Sequence, residues 1–181
     1  MIGARLPLAL QAIALEGDGL VAVLHPAQEA DLSALPRDRV LVVSPMATVC
    51  AGFEARGYKV AAELPKDARF AASILCLTRA RAEAQALVAA AMVQTDGVII
   101  VDGQKTDGVD SMLKALRTRT DVSAPISKAH GKIYWTTGGA DFSDWAAGPE
   151  LHPGGFWTAP GVFSADAVSY THLTLPTIYS V

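Results

Sequence analysis

Short, unbroken apolar runs recur along the chain, each closed by Pro, Gly or a polar residue. Leu20–Leu24, Val40–Val43, Phe70–Leu77 and Gly97–Gly103 are apolar on successive positions rather than on alternate ones. Such runs predict strands buried on both faces, the habit of a parallel sheet between helices. Tyr58–Ala62 predicts one more strand, just after Gly57. Between the runs the apolar residues return at helical spacing. Residues 5–15 predict a leading helix with Leu6, Leu10 and Ile13 on one face and Pro7 in its first turn. Met46–Arg56 predicts a helix that stops at Gly57. Ala80–Val93, rich in alanine, predicts the strongest helix. A further helix runs through Leu113 and Leu116, with Asp107 or Asp110 as its cap. Gly131–Thr137 alternates instead, which predicts an antiparallel strand at or near a sheet edge.

Strands separated by helices imply parallel pairing and helices on both faces, so the expected fold is a doubly wound, mostly parallel α/β sheet. It should occupy residues 1–137. From about Gly138 the composition shifts to Gly, Asp, Pro and Trp, which reads as a linker or connecting arm over 138–167. Hydrophobic residues make up 51% of the 181 positions and charged ones 18%, enough apolar content for a buried core. A net charge of −3 excludes a globally basic nucleic-acid binder but leaves room for a local basic patch. Cys50 and Cys76 lie in apolar surroundings and read as reduced, buried thiols. No apolar stretch is long enough to span a bilayer, and the first residues are too broken for a signal peptide. The expectation is a cytoplasmic protein without a membrane partner.

Three segments carry candidate chemistry. A nucleotide-binding sheet needs a glycine turn after its first strand, because the backbone must approach the ligand there. Here that strand runs into His25-Pro26-Ala27 instead. The fold is therefore expected to lack a working pocket at this turn. Asp102-Gly103-Gln104-Lys105-Thr106-Asp107-Gly108 follows another strand, where ligands of such sheets sit. Asp102 and Asp107 can form an acid–base or metal-binding pair, with Lys105 on a phosphate; alternatively Asp107 caps a helix. Ser127–Trp135 gathers two lysines, a histidine and two aromatics in nine residues. Lysines can contact phosphate there and exposed aromatics can stack on bases. The competing reading is an edge strand with Ile133 and Trp135 inward and Lys132 and Tyr134 in water. Lys114, Arg117 and Arg119 read as a solvated helix end.

Taken together, Asp31–Pro36, Arg79–Glu83, Val101–Val109, Ser127–Lys132 and Thr158–Ser164 resemble the N-terminal half of the RsmC-type ribosomal RNA guanine-N2 methyltransferases. The resemblance covers roughly residues 4–166. It implies two tandem methyltransferase-like domains. The first has lost its S-adenosylmethionine pocket and supports the second or helps hold RNA. The second binds the cofactor at a glycine turn and methylates through an Asn-Pro-Pro-aromatic motif, which this chain does not contain. By the same resemblance Phe163 and Ser164 border the cofactor pocket. Ribosomal RNA or the small ribosomal subunit is the implied partner, along with the missing catalytic domain. Lys105, Lys128, His130 and Lys132 are the expected RNA contacts. Val168–Leu173 resembles the translation of a sequencing adapter, so residues 168–181 are expected to be a non-native tail on a fragment. Two rivals remain: a stand-alone RNA-binding or interaction module, and a small α/β enzyme working through Asp102, Lys105 and Asp107.

Overall fold

The computed structural model describes residues 2–146 and the backbone of residues 150–152 and 156–158. The chain divides into two units, Met1–Ala146 and Ala147–Val181. In the first, a 3₁₀ turn at Ile2–Ala4 leads into α1 (Leu6–Ala12), β1 (Val21–Leu24), β2 (Val40–Val43), α2 (Ala47–Glu54) and β3 (Lys59–Ala61). Then come β4 (Phe70–Cys76), α3 (Arg81–Gln94), β5 (Thr95–Gln104), α4 (Val109–Arg117), β6 (Ile126–Lys128) and β7 (Gly131–Thr137). In the second unit β8 (Glu150–His152) pairs antiparallel with β9 (Phe156–Thr158).

The seven strands form one sheet in the order β3-β2-β1-β4-β5-β7-β6. The five from β3 to β5 are parallel, and β7 runs antiparallel to both β5 and β6. The doubly wound, mostly parallel expectation holds. Strand order reverses between β1 and β4, the switch point where ligands of such sheets usually sit.

The period of two sorts each strand between two cores. Val21 and Val23 pack with Leu6, Val49 and Phe53 on the α1–α2 face. Ala22 and Leu24 pack with Val88, Met92 and Leu116 on the α3–α4 face. Every residue of β1 is buried, which is why its sequence shows no alternation.

The same two-sided cover corrects one expectation. Tyr134 does not face water: it is fully buried on the α4 side, and its hydroxyl donates to the Val109 carbonyl oxygen at 3.3 Å. Burial pushes its phenol well above the usual range, with Asp110 adding to the effect. Ile133 is inward as expected, and Trp135 is only partly so. The strand is antiparallel and near the sheet edge as expected, with only the short β6 outside it. Neither carboxylate caps α4, whose cap position is Gly108 in the left-handed region at φ 77°.

Residues 138–146 belong to the first unit. Phe142 is buried, and Arg119 lies 4.8 Å from the Trp145 ring while donating twice to Asp144, at 2.6 and 2.7 Å. Arg119 is thus a clamp on this segment rather than a loose helix end. Among the described residues no helix is long and apolar enough to cross a membrane.

Candidate functional site

The carboxyl ends of β1, β4 and β5 bring several polar side chains to one edge of the sheet, among them His25, Thr78 and Asp102. At the switch point, β1 ends in His25, whose N–H donates to the Val43 carbonyl at 2.8 Å and whose φ is 52°. Its Nδ1 lies 3.3 Å from Glu83 Oε1, in the first turn of α3. Glu83 Oε2 accepts from the Thr78 hydroxyl at 2.7 Å, in the turn after β4. The two sides of the crevice are therefore joined to each other. The contact order differs from a hydroxyl–imidazole–carboxylate triad: the Glu83 carboxylate stands between hydroxyl and imidazole, so the His25 ring does not face Thr78. Burial lowers the His25 pKa, and Glu83 partly opposes that.

At the far side, Asp102 lies near the carboxyl end of β5. It does not meet Asp107. Instead Arg5, at the start of α1, donates Nε to Asp102 Oδ1 at 2.5 Å and Nη2 to Oδ2 at 2.9 Å. Both residues are buried. Asp107 lies in a 3₁₀ turn, Lys105–Asp107, where its Oδ2 accepts the Gln104 N–H at 3.1 Å. Each carboxylate thus has a structural partner, and the pair imagined for a small enzyme is not assembled. Cys76 lies beside Asp102 in register. Burial, and then the Asp102 charge, push its thiol far above the usual range, which disfavours the thiolate a nucleophile needs.

Arg5 also reaches the surface hairpin. Its Nη1 donates to the Lys128 carbonyl at 2.9 Å, and the Ala129 carbonyl is 3.4 Å away. Ala129 and His130 link β6 to β7 as a two-residue turn, with φ of 50° and 58°. Both values are left-handed, as a type I′ hairpin requires. Gly131 follows because a Cβ there would lie 2.5 Å from Arg5 Nη1. The Lys105 N–H donates to the His130 carbonyl at 3.2 Å, tying the 3₁₀ turn to the hairpin. The structure thus brings Lys105, Lys128 and His130 together at one corner. Lys132 is close in sequence but is paired with Asp110, Nζ to Oδ1 at 2.5 Å. Phe163, Ser164 and the tail 168–181 lie outside the described residues.

A third feature had no counterpart in the sequence reading. A hollow of about 230 Å³ opens between the first turns of α3 and α4, walled by Arg79, Arg81, Gln85, Asp107 and Ser111. The Arg79 side chain is 82% exposed and lies 3.7 Å from Asp107. Among the described residues no group of three or more His, Cys, Asp or Glu is placed to hold a metal ion.

No protein-family model matches the chain, and no curated protein matches it in sequence. Solved structures do match. The Thermus thermophilus 16S rRNA N2 G1207 methyltransferase RsmC, in complex with AdoMet and guanosine, superposes with a TM-score of 0.63 at 21% identity. The match covers 90% of this chain and 49% of that one. The fold is a methyltransferase fold. A Lactobacillus delbrueckii ribosomal protein L11 methylase matches with a TM-score of 0.56 at 10% identity, covering 76% of this chain and 79% of the other. The Synechocystis magnesium protoporphyrin IX methyltransferase ChlM, with bound SAM, matches at 0.53 and 10% identity, covering 76% and 78%. This chain spans about half the length of the Thermus protein. Its switch-point turn does not fit a nucleoside cofactor: Pro26 stands where a glycine would let the backbone approach, and His25 and Glu83 bridge the crevice.

Proposed function

We propose that the chain is a non-catalytic N-terminal portion of an S-adenosylmethionine-dependent ribosomal RNA guanine-N2 methyltransferase. In this reading it supports a catalytic half or helps hold the RNA. The observation that carries it is the crevice bridged by His25, Glu83 and Thr78 within a methyltransferase fold. A methyl transfer needs the donor sulfonium held in line with the accepting nitrogen. A fold whose cofactor crevice is cross-linked by its own side chains has kept the scaffold without that capacity. The cofactor and its chemistry then belong to the other half, in the cytoplasm, on ribosomal RNA or the small subunit. Phe163 and Ser164 are assigned to the entrance to that half.

Calorimetric titration of S-adenosylmethionine into the folded 181-residue chain tests this. The expected result is no measurable heat from a protein whose circular dichroism shows a cooperative melt. Saturable binding to the folded chain would overturn it and leave the crevice able to open.

The stand-alone RNA-binding module is favoured by a different observation, the corner formed by Lys105, Lys128 and His130. Lysine donates to phosphate without regard to sequence, so such binding weakens steeply with salt. Replacing Lys105 and Lys128 together with alanine should lower RNA affinity. On single strands each lost phosphate contact should reduce the slope of log K against log salt by about 0.7. An unchanged slope in fluorescence anisotropy would remove these two residues from the contact set.

A further inference from the structure

We propose that the hollow between the first turns of α3 and α4 receives one unpaired ribonucleotide, with its base inside and its phosphate at the arginines. The inference deepens the RNA-binding reading above and rests on it.

Size comes first. At about 230 Å³ the hollow is smaller than the roughly 300–1,000 Å³ of sites that enclose whole small-molecule ligands. It suits a fragment no larger than a nucleotide.

Chemistry then orients the guest. Ala84, Met112 and Ala115 contribute apolar surface to the lining, which suits the flat face of a base. The Gln85 amide also lines the hollow and makes no hydrogen bond among the described residues. An amide of that kind offers both donors and an acceptor to a base edge. Asp107 stands in the wall as well. Its carboxylate repels a phosphate placed deep in the hollow but accepts an N–H from a base. Arg79 and Arg81 are exposed and supply the positive charge at the rim. Their guanidiniums can hold the phosphate or stack on the base. Base inside and phosphate outside is the arrangement that satisfies all of these groups.

Continuity adds a third argument. The Lys105–Asp107 turn that walls the hollow is the same turn that bonds the hairpin through Lys105 and His130. The strand leaving the hollow would therefore meet Lys105 and Lys128. Unpaired segments can splay single bases into such seats, whereas the bases of a duplex stay stacked.

The test uses the whole chain. It contains four methionines, of which Met112 lines the hollow, so methyl-labelled methionine gives a local nuclear magnetic resonance probe. Guanosine 5′-monophosphate should shift the Met112 methyl in a saturable way, and inorganic phosphate should not. Ala115→Leu, at a part-exposed lining position, should abolish that shift. The same variant should weaken binding of a single-stranded RNA 12-mer about tenfold and leave a fully paired hairpin unaffected. An equal shift with inorganic phosphate would overturn the base seat in favour of a simple anion site. A silent Met112, with single-stranded RNA bound equally by both proteins, would overturn the inference while the RNA-binding reading stands. A shifted Met112 in a chain that binds no RNA would uphold the seat and sink that reading instead. Asp107→Asn, which keeps the size of the wall, gives a second check: it should favour phosphate relative to the nucleotide.

Discussion

Two ends of one sheet edge use similar residue types for opposite purposes. At the switch point, His25, Glu83 and Thr78 satisfy one another across the crevice, and little hydrogen-bonding capacity is left to meet a ligand. At the β5–β7 corner the ion pair of Arg5 and Asp102 is buried, while Lys105 and Lys128 are exposed. The first arrangement closes a gap; the second holds a surface in shape. On the proposed reading, a fold that has given up its ligand need not be a loosened one. Polar groups freed from a ligand can be re-used as internal fasteners, and function can move to a neighbouring part of the same edge.

The largest effect should come from removing the fastener under the basic corner. Arg5→Met leaves Asp102 buried without its counter-charge, and two hairpin carbonyls lose a donor. Breaking one partner of a buried pair costs about 3–5 kcal/mol. Urea unfolding should show a loss of that order. Adding Asp102→Leu should recover much of it, because the uncompensated charge is gone. If Arg5→Met alone unfolds at the wild-type midpoint, the pair does not hold this corner.

The contrast between the two ends explains what the sequence could and could not reveal. Apolar runs such as Leu20–Leu24 and Val40–Val43 are local signals, and the strands formed almost where those runs lie. Helix caps were less legible: Asp107 turned to the 3₁₀ turn before the helix, because Gly108 supplied the backbone reversal. β6 escaped notice because three residues with one apolar position carry no period. Alternation in β7 suggests a wet face for Tyr134, whereas α4 covers that side. The site was less legible still. Arg5 and Asp102 are 97 positions apart, and His25 and Glu83 are 58 apart, so neither pair leaves a spacing to find. A weak signal existed for the first: Asp102 ends a run buried on both faces, and a carboxylate in that position requires a counter-charge. The basic corner was the exception. Lys105 and Lys128 belong to two separate basic segments of the sequence, and antiparallel pairing of β5 with β7 brings those segments together.

A smaller effect should come from the turn above Arg5. Ala129 holds a φ of 50°, where its Cβ costs roughly 1–2 kcal/mol that glycine avoids. Part of the relief from Ala129→Gly is offset by the freer unfolded chain, so the net gain should be about 1 kcal/mol or less. The comparison is sharpened by the partner experiment. In Arg5→Met the hairpin is no longer pinned, so the same glycine substitution should stabilise less. Equal gains in both backgrounds, measured as a double-mutant cycle, would show that Arg5 does not constrain the turn.

The smallest effect lies at the closed end and appears only as a change with pH. His25 has a pKa lowered from 6.5 by burial, with Glu83 acting in the raising direction. A histidine depressed in the folded state stays neutral while the unfolded chain takes up a proton. Its contribution to stability is therefore intact above about pH 6.5 and is lost progressively as pH falls from there toward the lower folded value. Glu83→Gln removes the opposing charge, so the His25 pKa should drop further and the loss of stability between pH 7.5 and 5.5 should grow. Titration of the assigned His25 ring signal reads the first change, and urea midpoints at the two pH values read the second. Arg5→Met should leave the His25 titration where it is, since that pair fastens the other end of the edge. A His25 midpoint that stays put or rises in Glu83→Gln would mean that the carboxylate does not face the imidazole, and the bridged crevice would lose its main strut.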